Sequence, residues 1–219
     1  MKGHCCGEIN NAGKRNLKDR RGFTLIELAF VLVIVGLLIG MGAELLPMLV
    51  KQNKLKESRA IVKEAKTAIV GYALATGRLP YASSNEDGSE SSGRLNGYLP
   101  YATLGISGSD AYGSTLFYAI DPYLAVTATT QEFKTHLNEL ISGGHSPDLF
   151  CDSGNILAAF VVLSSGYNGE ADSPNDDNNN GRVDTVDNNT FEQPGAPQTD
   201  TYDDILEAAS LSYLYGRFE

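Results

Sequence analysis

The feature that most constrains this chain of 219 residues is an apolar run near its N-terminus, at positions 23–43, which contains a single charge, Glu27. At 1.5 Å rise per residue, a helix over these roughly 21 residues is about 31 Å long, enough to cross a bilayer core. An ordinary secretory signal has a shorter apolar core followed by a small-residue cleavage site, which is not seen here. The run therefore predicts a retained apolar helix. Glu27 is a functional candidate, because burying a charge in a membrane costs at least a few kcal/mol.

Positive charge is concentrated just before this run. Five lysines and arginines fall within positions 14–21, and such charge is retained on the cytoplasmic side of a membrane. Lysines also follow the run, at positions 51, 54 and 56, but they are less dense and lie beyond Glu44. We therefore expect the N-terminal residues to lie in the cytoplasm and the bulk of the chain to lie outside it.

The junction between the basic segment and the apolar run has a specific motif. Gly22 is followed by Phe-Thr-Leu-Ile-Glu-Leu at positions 23–28, which closely resembles the class III signal of type IV pilins and type II secretion pseudopilins. The resemblance implies that a prepilin peptidase cuts between Gly22 and Phe23 on the cytoplasmic side. It also implies N-methylation of the new Phe23 amine and retention of the apolar segment.

The same resemblance gives Glu27 a role in assembly. Cleavage would leave a charged amine at Phe23, and Glu27 lies four residues further on, about one helical turn away. In a medium of low dielectric constant, the carboxylate can neutralise this amine within one subunit or between neighbours. In the resembling family the pair between subunits helps to set the axial register of the filament. The alternative is a carboxylate that is protonated or that reaches the lipid headgroups.

Apolar residues continue at near-helical spacing as far as Ala73, with Lys, Glu and Arg between them. This pattern predicts one helix over positions 23–76, closed by Gly77. In the resembling family the middle of this helix can bend or partly melt in the assembled fibre, and we expect the same here. The candidate positions for the break are glycines and a proline, which disfavour helix: Gly36, Gly40, Gly42 and Pro47.

The two halves of this helix need different surroundings. The first half requires lipid or copies of itself, whereas the amphipathic second half suits packing on a small sheet. We therefore predict an α+β pilin fold, in which a long N-terminal helix packs on a small antiparallel-sheet head. The expected segments are a cleaved leader at 1–22, a transmembrane or fibre-core helix at 23–50, its amphipathic half at 51–77 and a globular head at 78–219.

Within the head, strand and helix patterns are separated by loop-rich sequence, mainly at positions 78–110. Strands are predicted at 116–120, 123–127 and 156–163, the last being the longest and partly β-branched. The first of these follows Asp110-Ala111-Tyr112-Gly113, which resembles an aspartate-aromatic-glycine element in pseudopilins. Thr129 and Glu132 form a candidate capping box for a helix that ends near position 141. Positions 205–215 fit either a strand or a short helix.

Charge and composition exclude several classes of function. Without the six bases and two acids of the leader, the chain has 11 bases and 25 acids, a net charge of −14, and six of those bases lie at positions 51–66. An acidic body argues against nucleic-acid binding, and a solvated or acid-paired helix face is the better interpretation of the basic stripe. No catalytic motif accompanies His136 and His145, which we interpret as surface or capping residues, so an enzyme is not expected.

Cys5 and Cys6 fall in the leader, which leaves Cys151 as the one cysteine of the processed chain. It is expected to be a buried thiol, with a bridge between subunits as the alternative. An internal disulfide is then impossible, although many members of the resembling family close a C-terminal loop with a cysteine pair. Another device should hold this loop.

An Asp/Asn-rich stretch at positions 176–187 offers that device. It matches the calcium-loop scheme of oxygen ligands at alternate positions, glycine at the sixth and an acid at the twelfth. It is more similar to dockerin-type loops than to a complete EF-hand, and the alternative is a flexible turn. The predicted calcium ligands are Asp176, Asn178, Asn180, Arg182 through its carbonyl, Asp184 and Asp187.

Together these patterns favour a subunit of a type IV pilus-like filament that polymerises through its N-terminal helix. The alternatives are a pseudopilin of a type II secretion system and a membrane-anchored calcium-binding domain that does not polymerise. The resemblance implies three partners: other pilins, the prepilin peptidase and an inner-membrane assembly platform. It places the chain in the inner membrane before assembly, and in an extracellular or periplasmic filament afterwards.

Overall fold

The computed structural model describes residues 22–176 and 189–218, apart from the side chains at positions 41, 42, 44 and 45. The chain divides into two compact units, one ending at Pro47 and the other beginning at Met48. Helix α1, Leu25–Thr76, runs without interruption through the predicted weak points at Gly36, Gly40, Gly42 and Pro47. Their melting was predicted for the assembled fibre and stays a prediction.

In the second unit, α1 buries one face against the head. Val62, Ala65, Ile69 and Ala73 are fully buried, and their spacing of three or four residues puts them on one stripe of the helix. The helix ends as expected at Gly77, which has a φ of +73° and lies so close to the chain that a Cβ atom would approach the Thr130 nitrogen to 2.4 Å. A side chain at this position would be both strained and obstructed.

The head contains a six-stranded sheet that confirms the predicted α+β class. Strand β4, Ile156–Ser164, pairs antiparallel with β2, Phe117–Ile120, and also with β6, Ile205–Ser210. The short strands β1, Asn96–Tyr98, β3, Phe150–Cys151, and β5, Thr190–Phe191, extend the sheet and were not predicted. Burial on both faces of β4 explains its continuous apolar sequence.

Three short helices lie between and after the strands: α2, Tyr101–Leu104, α3, Thr130–Ser142, and α4, Leu211–Tyr215. The capping of α3 is confirmed, since the Glu132 N–H donates to Thr129 Oγ1 at 3.2 Å. The strand predicted at 123–127 is wrong, because Pro122 begins a 3₁₀ turn and the Asp121 carboxylate accepts from the Tyr123 N–H. Positions 205–215 prove to be strand first and helix afterwards.

Two acidic side chains, those of Asp110 and Glu90, hold the loops that precede the first strands of the sheet. Asp110 accepts hydrogen bonds from the Tyr112 and Ser114 N–H groups, and its other oxygen accepts from Ser164 Oγ at 2.7 Å. The predicted aspartate-aromatic-glycine element therefore ties the entry of β2 to the end of β4. In the loop-rich segment, Glu90 receives a bidentate pair of hydrogen bonds from Arg78, at 2.7 and 2.9 Å.

Candidate assembly segment and acidic centre

The start of α1 combines the predicted cleavage point with a helix cap. Gly22 and Phe23 precede the helix and are exposed, as a peptidase substrate requires. The Glu27 N–H donates to Thr24 Oγ1 at 3.3 Å, so Thr24 and Glu27 occupy the first and last positions of a capping box. A carboxylate in the first turn also interacts favourably with the helix dipole.

The first unit exposes an unusual amount of apolar surface. Leu25 is 88% exposed, and most of this unit's large apolar side chains from Phe23 to Leu46 are more than half exposed. A contiguous apolar surface of this kind marks an interaction site in a folded protein. Within the described part of the chain, no helix is long and apolar enough to cross a membrane.

A second candidate site lies at one end of the sheet. Antiparallel pairing of β4 with β6 reaches its last register pair at Ser164 and Ile205. The residues that leave β4 and those that enter β6 must therefore meet at this end. This topology brings Asp172, from the loop after β4, beside Asp203 and Asp204, which directly precede β6. One carboxylate oxygen from each of the three lies within 4.8 Å of the other two.

Backbone hydrogen bonds hold the three carboxylates in place. Asp172 Oδ2 accepts from the Asp203 N–H at 2.7 Å, and the Asp172 N–H donates to Asp204 Oδ2 at 2.9 Å. The Tyr167 N–H donates to Asp203 Oδ2 at 2.8 Å. Gly166 makes this turn possible, because its φ is +61° and a Cβ atom would come within 2.2 Å of the Asp203 carbonyl oxygen.

One oxygen of each buried aspartate lacks a hydrogen-bond partner. Asp203 is 8% exposed and Asp204 2% exposed, and their Oδ1 atoms are unpaired among the described residues. Burial raises the pKa of Asp204 to about 7, because it disfavours the charged form. The pKa of Asp203 is also raised, chiefly by burial. Three neighbouring carboxylates thus require protons or a cation to offset their mutual repulsion.

The donor set at this acidic centre suits a hard cation. It consists of carboxylate oxygens, which Ca²⁺ prefers and binds at about 2.3–2.6 Å, and their spacing fits ligands that share one ion of this size. The described residues of the centre include no thiol or imidazole, the ligands typical of zinc. Asp172, Asp203 and Asp204 are therefore the side chains that could hold Ca²⁺ here.

Of the predicted calcium ligands, Asp176 is the one that lies within the described residues, next to this centre. Asp176 is 3% exposed, and its N–H donates to the Asp172 carbonyl oxygen at 3.1 Å. The other predicted ligands lie outside the described residues, so their roles stay predictions: Asn178, Asn180, Arg182, Asp184 and Asp187. The sequence signal for the centre itself is the pair Asp203-Asp204 directly before a buried strand, which our sequence interpretation missed.

His136 and His145 lie together on the head, beside the ring of Tyr123. The Tyr123 ring stacks on both imidazoles, with centroid distances of 3.8 Å to His136 and 4.0 Å to His145. His136 Nδ1 lies 2.8 Å from the Tyr123 carbonyl oxygen. The stack holds the middle of α3, through His136, and the segment after α3, through His145, against the preceding 3₁₀ turn. His136 is half-buried and His145 is exposed, which agrees with the prediction of surface or capping residues.

Comparison with known families gives a match at the N-terminus alone. The model of the prokaryotic N-terminal methylation motif matches residues 17–43, a segment that contains Gly22, Phe23 and Glu27. No curated protein and no solved structure matches the chain. The matched segment, the capped first turn and the exposed apolar surface belong to the same stretch of chain. Residues 17–43 carry the class III prepilin signal of type IV pilins and pseudopilins, and this motif supports a type IV pilin-like or pseudopilin-like protein.

Proposed function

We propose that the chain is a structural subunit of a type IV pilus-like filament, without enzymatic activity. The prepilin peptidase removes residues 1–22 and Phe23 is N-methylated. The subunit is stored at the inner membrane and enters the filament through an assembly platform, where other pilin subunits surround its N-terminal helix. This proposal gives the methylation motif and the apolar helix surface a common purpose.

The observation that carries the proposal is the exposed apolar surface at the start of α1, together with the acid in its first turn. Leu25 and Ile26 directly precede Glu27 in sequence and are 88% and 66% exposed. Packing among copies would remove such surface from water at about 25 cal/mol per Å². Burial would also strengthen the attraction between Glu27 and the Phe23 amine of a neighbouring subunit.

The test is the recovery of the chain in fibres sheared from cells. We expect the native chain to appear in the fibre fraction, and Glu27→Ala to be cleaved normally but to be absent from fibres. Glu170→Ala, which removes an exposed acid from a head loop, is the matched control and should assemble. Normal assembly of Glu27→Ala would contradict the role of Glu27. Absence of the native chain from fibres, while it accumulates as a monomer in membranes, would instead favour a non-polymerising anchored domain.

A pseudopilin of a type II secretion system is the second candidate. The acidic centre favours it, since a bound cation would close the C-terminal loop of a chain in which Cys151 is the one described cysteine. Deleting the gene separates the two functions. Loss of surface fibres with normal secretion supports the pilus subunit, whereas loss of protein secretion without loss of surface fibres supports the pseudopilin.

We further propose that the acidic centre binds Ca²⁺ through Asp172, Asp203 and Asp204. The two unpaired Oδ1 atoms support this proposal, because a buried carboxylate oxygen without a partner is costly. Calorimetric titration of the full chain in detergent tests it. We expect one calcium site that Asp203→Asn/Asp204→Asn abolishes, whereas retention of that site in the variant would assign calcium to other ligands.

A further inference from the structure

The solvent-facing side of α1 beyond Met48 carries two rows of opposite charge. Lys56 and Lys63 are seven residues apart, which returns the helix to nearly the same direction, and Arg59 lies between them. Glu57 and Glu64 repeat the same spacing one position later, about 100° further round the helix. All five side chains are exposed. We call these residues the basic row and the acidic row.

Neither row has a partner within its own chain among the described residues. The other lysines of the basic stripe do engage the head: Lys66 forms an ion pair with Glu207 at 2.8 Å, and Lys51 and Lys54 lie over tyrosine rings. The ion pairs of the described chain, Lys66–Glu207 and Arg78–Glu90, include no member of either row. The stripe is thus divided into residues that bind the head and residues that face outward.

The stability of the isolated helix does not account for these rows. Arg59 lies three residues after Lys56 and four before Lys63, and like charges at these spacings destabilise a helix. The acidic row adds little stability to the helix, because no basic residue follows its members at a distance of four. Ile61 and Ala68 occupy those positions. Lys54 precedes Glu57 by three residues, but its amine lies over the Tyr112 ring.

We propose that the two rows pair between copies of this chain, with the basic row of one α1 against the acidic row of its neighbour. The inference rests on the proposed filament, in which the N-terminal helices run in the same direction. Two different patches of the same surface then meet, which makes the contact heterologous and allows it to repeat along a helical assembly. The arrangement is comparable to charge pairing between the flanking positions of coiled-coil helices, which determines partner and orientation.

Charge complementarity favours a second copy over other occupants of this face. An anionic membrane or a nucleic acid would attract the basic row, but the acidic row beside it would repel the same surface. The net charge of −14 on the processed chain adds to this repulsion. A second copy presents both signs with the same seven-residue repeat, so it satisfies both rows at once.

The experiment reverses each row in the full-length chain and measures the fibre fraction. The basic-row variant is Lys56→Glu/Arg59→Gln/Lys63→Glu, the acidic-row variant is Glu57→Lys/Glu64→Lys, and a third chain carries all five changes. Each single-row variant should lose roughly tenfold or more of its assembly, because like charges then face each other across the interface. The chain with all five changes should recover most of it, since its rows are complementary again.

Co-expression gives a second readout that a folding defect would not produce. The two single-row variants should assemble together while each fails alone, and Glu170→Lys, an exposed head residue outside both rows, should assemble normally. Single-row variants that assemble like the native chain would overturn the pairing, as would failure of both the five-change chain and the mixture. Loss of anionic-vesicle binding without loss of fibres would assign the basic row to a membrane. Failure of the native chain itself to form fibres would instead sink the proposed filament.

Discussion

Replacing Asp204 with asparagine should weaken the response of the head's stability both to pH and to calcium. The pKa of Asp204 is raised from 3.8 to about 7, with burial as the largest cause. Each pKa unit corresponds to 1.36 kcal/mol, so holding Asp204 ionised in the folded chain without a cation costs of order 4 kcal/mol. Asparagine keeps the shape of the side chain and removes the charge.

The sign of the pH effect follows from the direction of this shift. Because the folded state holds the Asp204 proton more tightly than the unfolded state, this group stabilises the fold below about pH 4. That stabilisation is lost progressively as the pH rises from about 4 to about 7. In a chelator, the native chain should therefore become less stable between pH 5 and pH 7.5. Asp204→Asn should show a smaller loss, and the raised pKa of Asp203 should account for part of what remains.

Calcium should invert this trend in the native chain. A bound cation favours the ionised carboxylates, so protons compete with it and stability should fall on acidification. At a calcium concentration one hundred times the dissociation constant, binding adds about 2.7 kcal/mol. For a chain of this size that raises the melting temperature by roughly 5–10 °C. Asp204→Asn should lose most of this gain.

The assay is thermal unfolding of the full chain in detergent at pH 5 and pH 7.5, with chelator or with calcium. The chain has 11 tyrosines and no tryptophan, so near-ultraviolet circular dichroism of the tyrosines reports on the head. Asp200→Asn, an exposed neighbour of the centre, is the matched control and should behave like the native chain. Equal calcium responses of the native chain and Asp204→Asn, or a native chain that gains stability between pH 5 and pH 7.5 in chelator, would refute this reasoning.

Three further substitutions or modifications test other parts of the chain. A Cβ atom at Gly22 would meet nothing within 4 Å, so Gly22→Val should leave the fold intact. The substitution should block leader removal, which would be seen as a larger chain on gels. Normal cleavage of this variant would contradict the assigned site. Burial raises the pKa of Cys151 to about 12, so this thiol should resist alkylation at pH 8 until the head unfolds, and rapid labelling would show that it is accessible. Glu90→Gln should lower the free energy of unfolding by about 1–3 kcal/mol in denaturant titrations, because Arg78 and the Tyr81 N–H lose a charged acceptor. An unchanged unfolding midpoint would show that the Arg78–Glu90 pair contributes nothing to stability.

The main helices and the central strand of this fold can be predicted from the sequence, because each depends on strong signals from neighbouring residues. The apolar period of α1, the glycine after its end and the capping box of α3 each depend on neighbouring residues, and all three appear in the structure. The continuous apolar stretch of β4 likewise identifies the central strand. Pro122 was available as a signal against the strand predicted at 123–127, but its effect was overlooked.

The parts that were missed depend on tertiary contacts. Strand β1 is short, and its register with β2 is set by partners about 20 residues away, such as Asn96 with Ala119. The acidic centre joins residues that are separated by about 30 positions and meet because β4 and β6 pair antiparallel. The periodicity of apolar residues along the sequence does not indicate which distant residues lie side by side in the fold. The predicted calcium loop drew attention to the neighbouring residues that are contiguous in sequence.

The most direct test of the filament is the N-terminus of the subunit recovered from purified fibres. Electron microscopy would establish that fibres are present, and intact-mass analysis would identify the first residue of the chain within them. We predict a subunit that begins at Phe23 and carries one additional methyl group on its amine. Fibres without this chain, or a fibre subunit that retains residues before Phe23, would contradict the account.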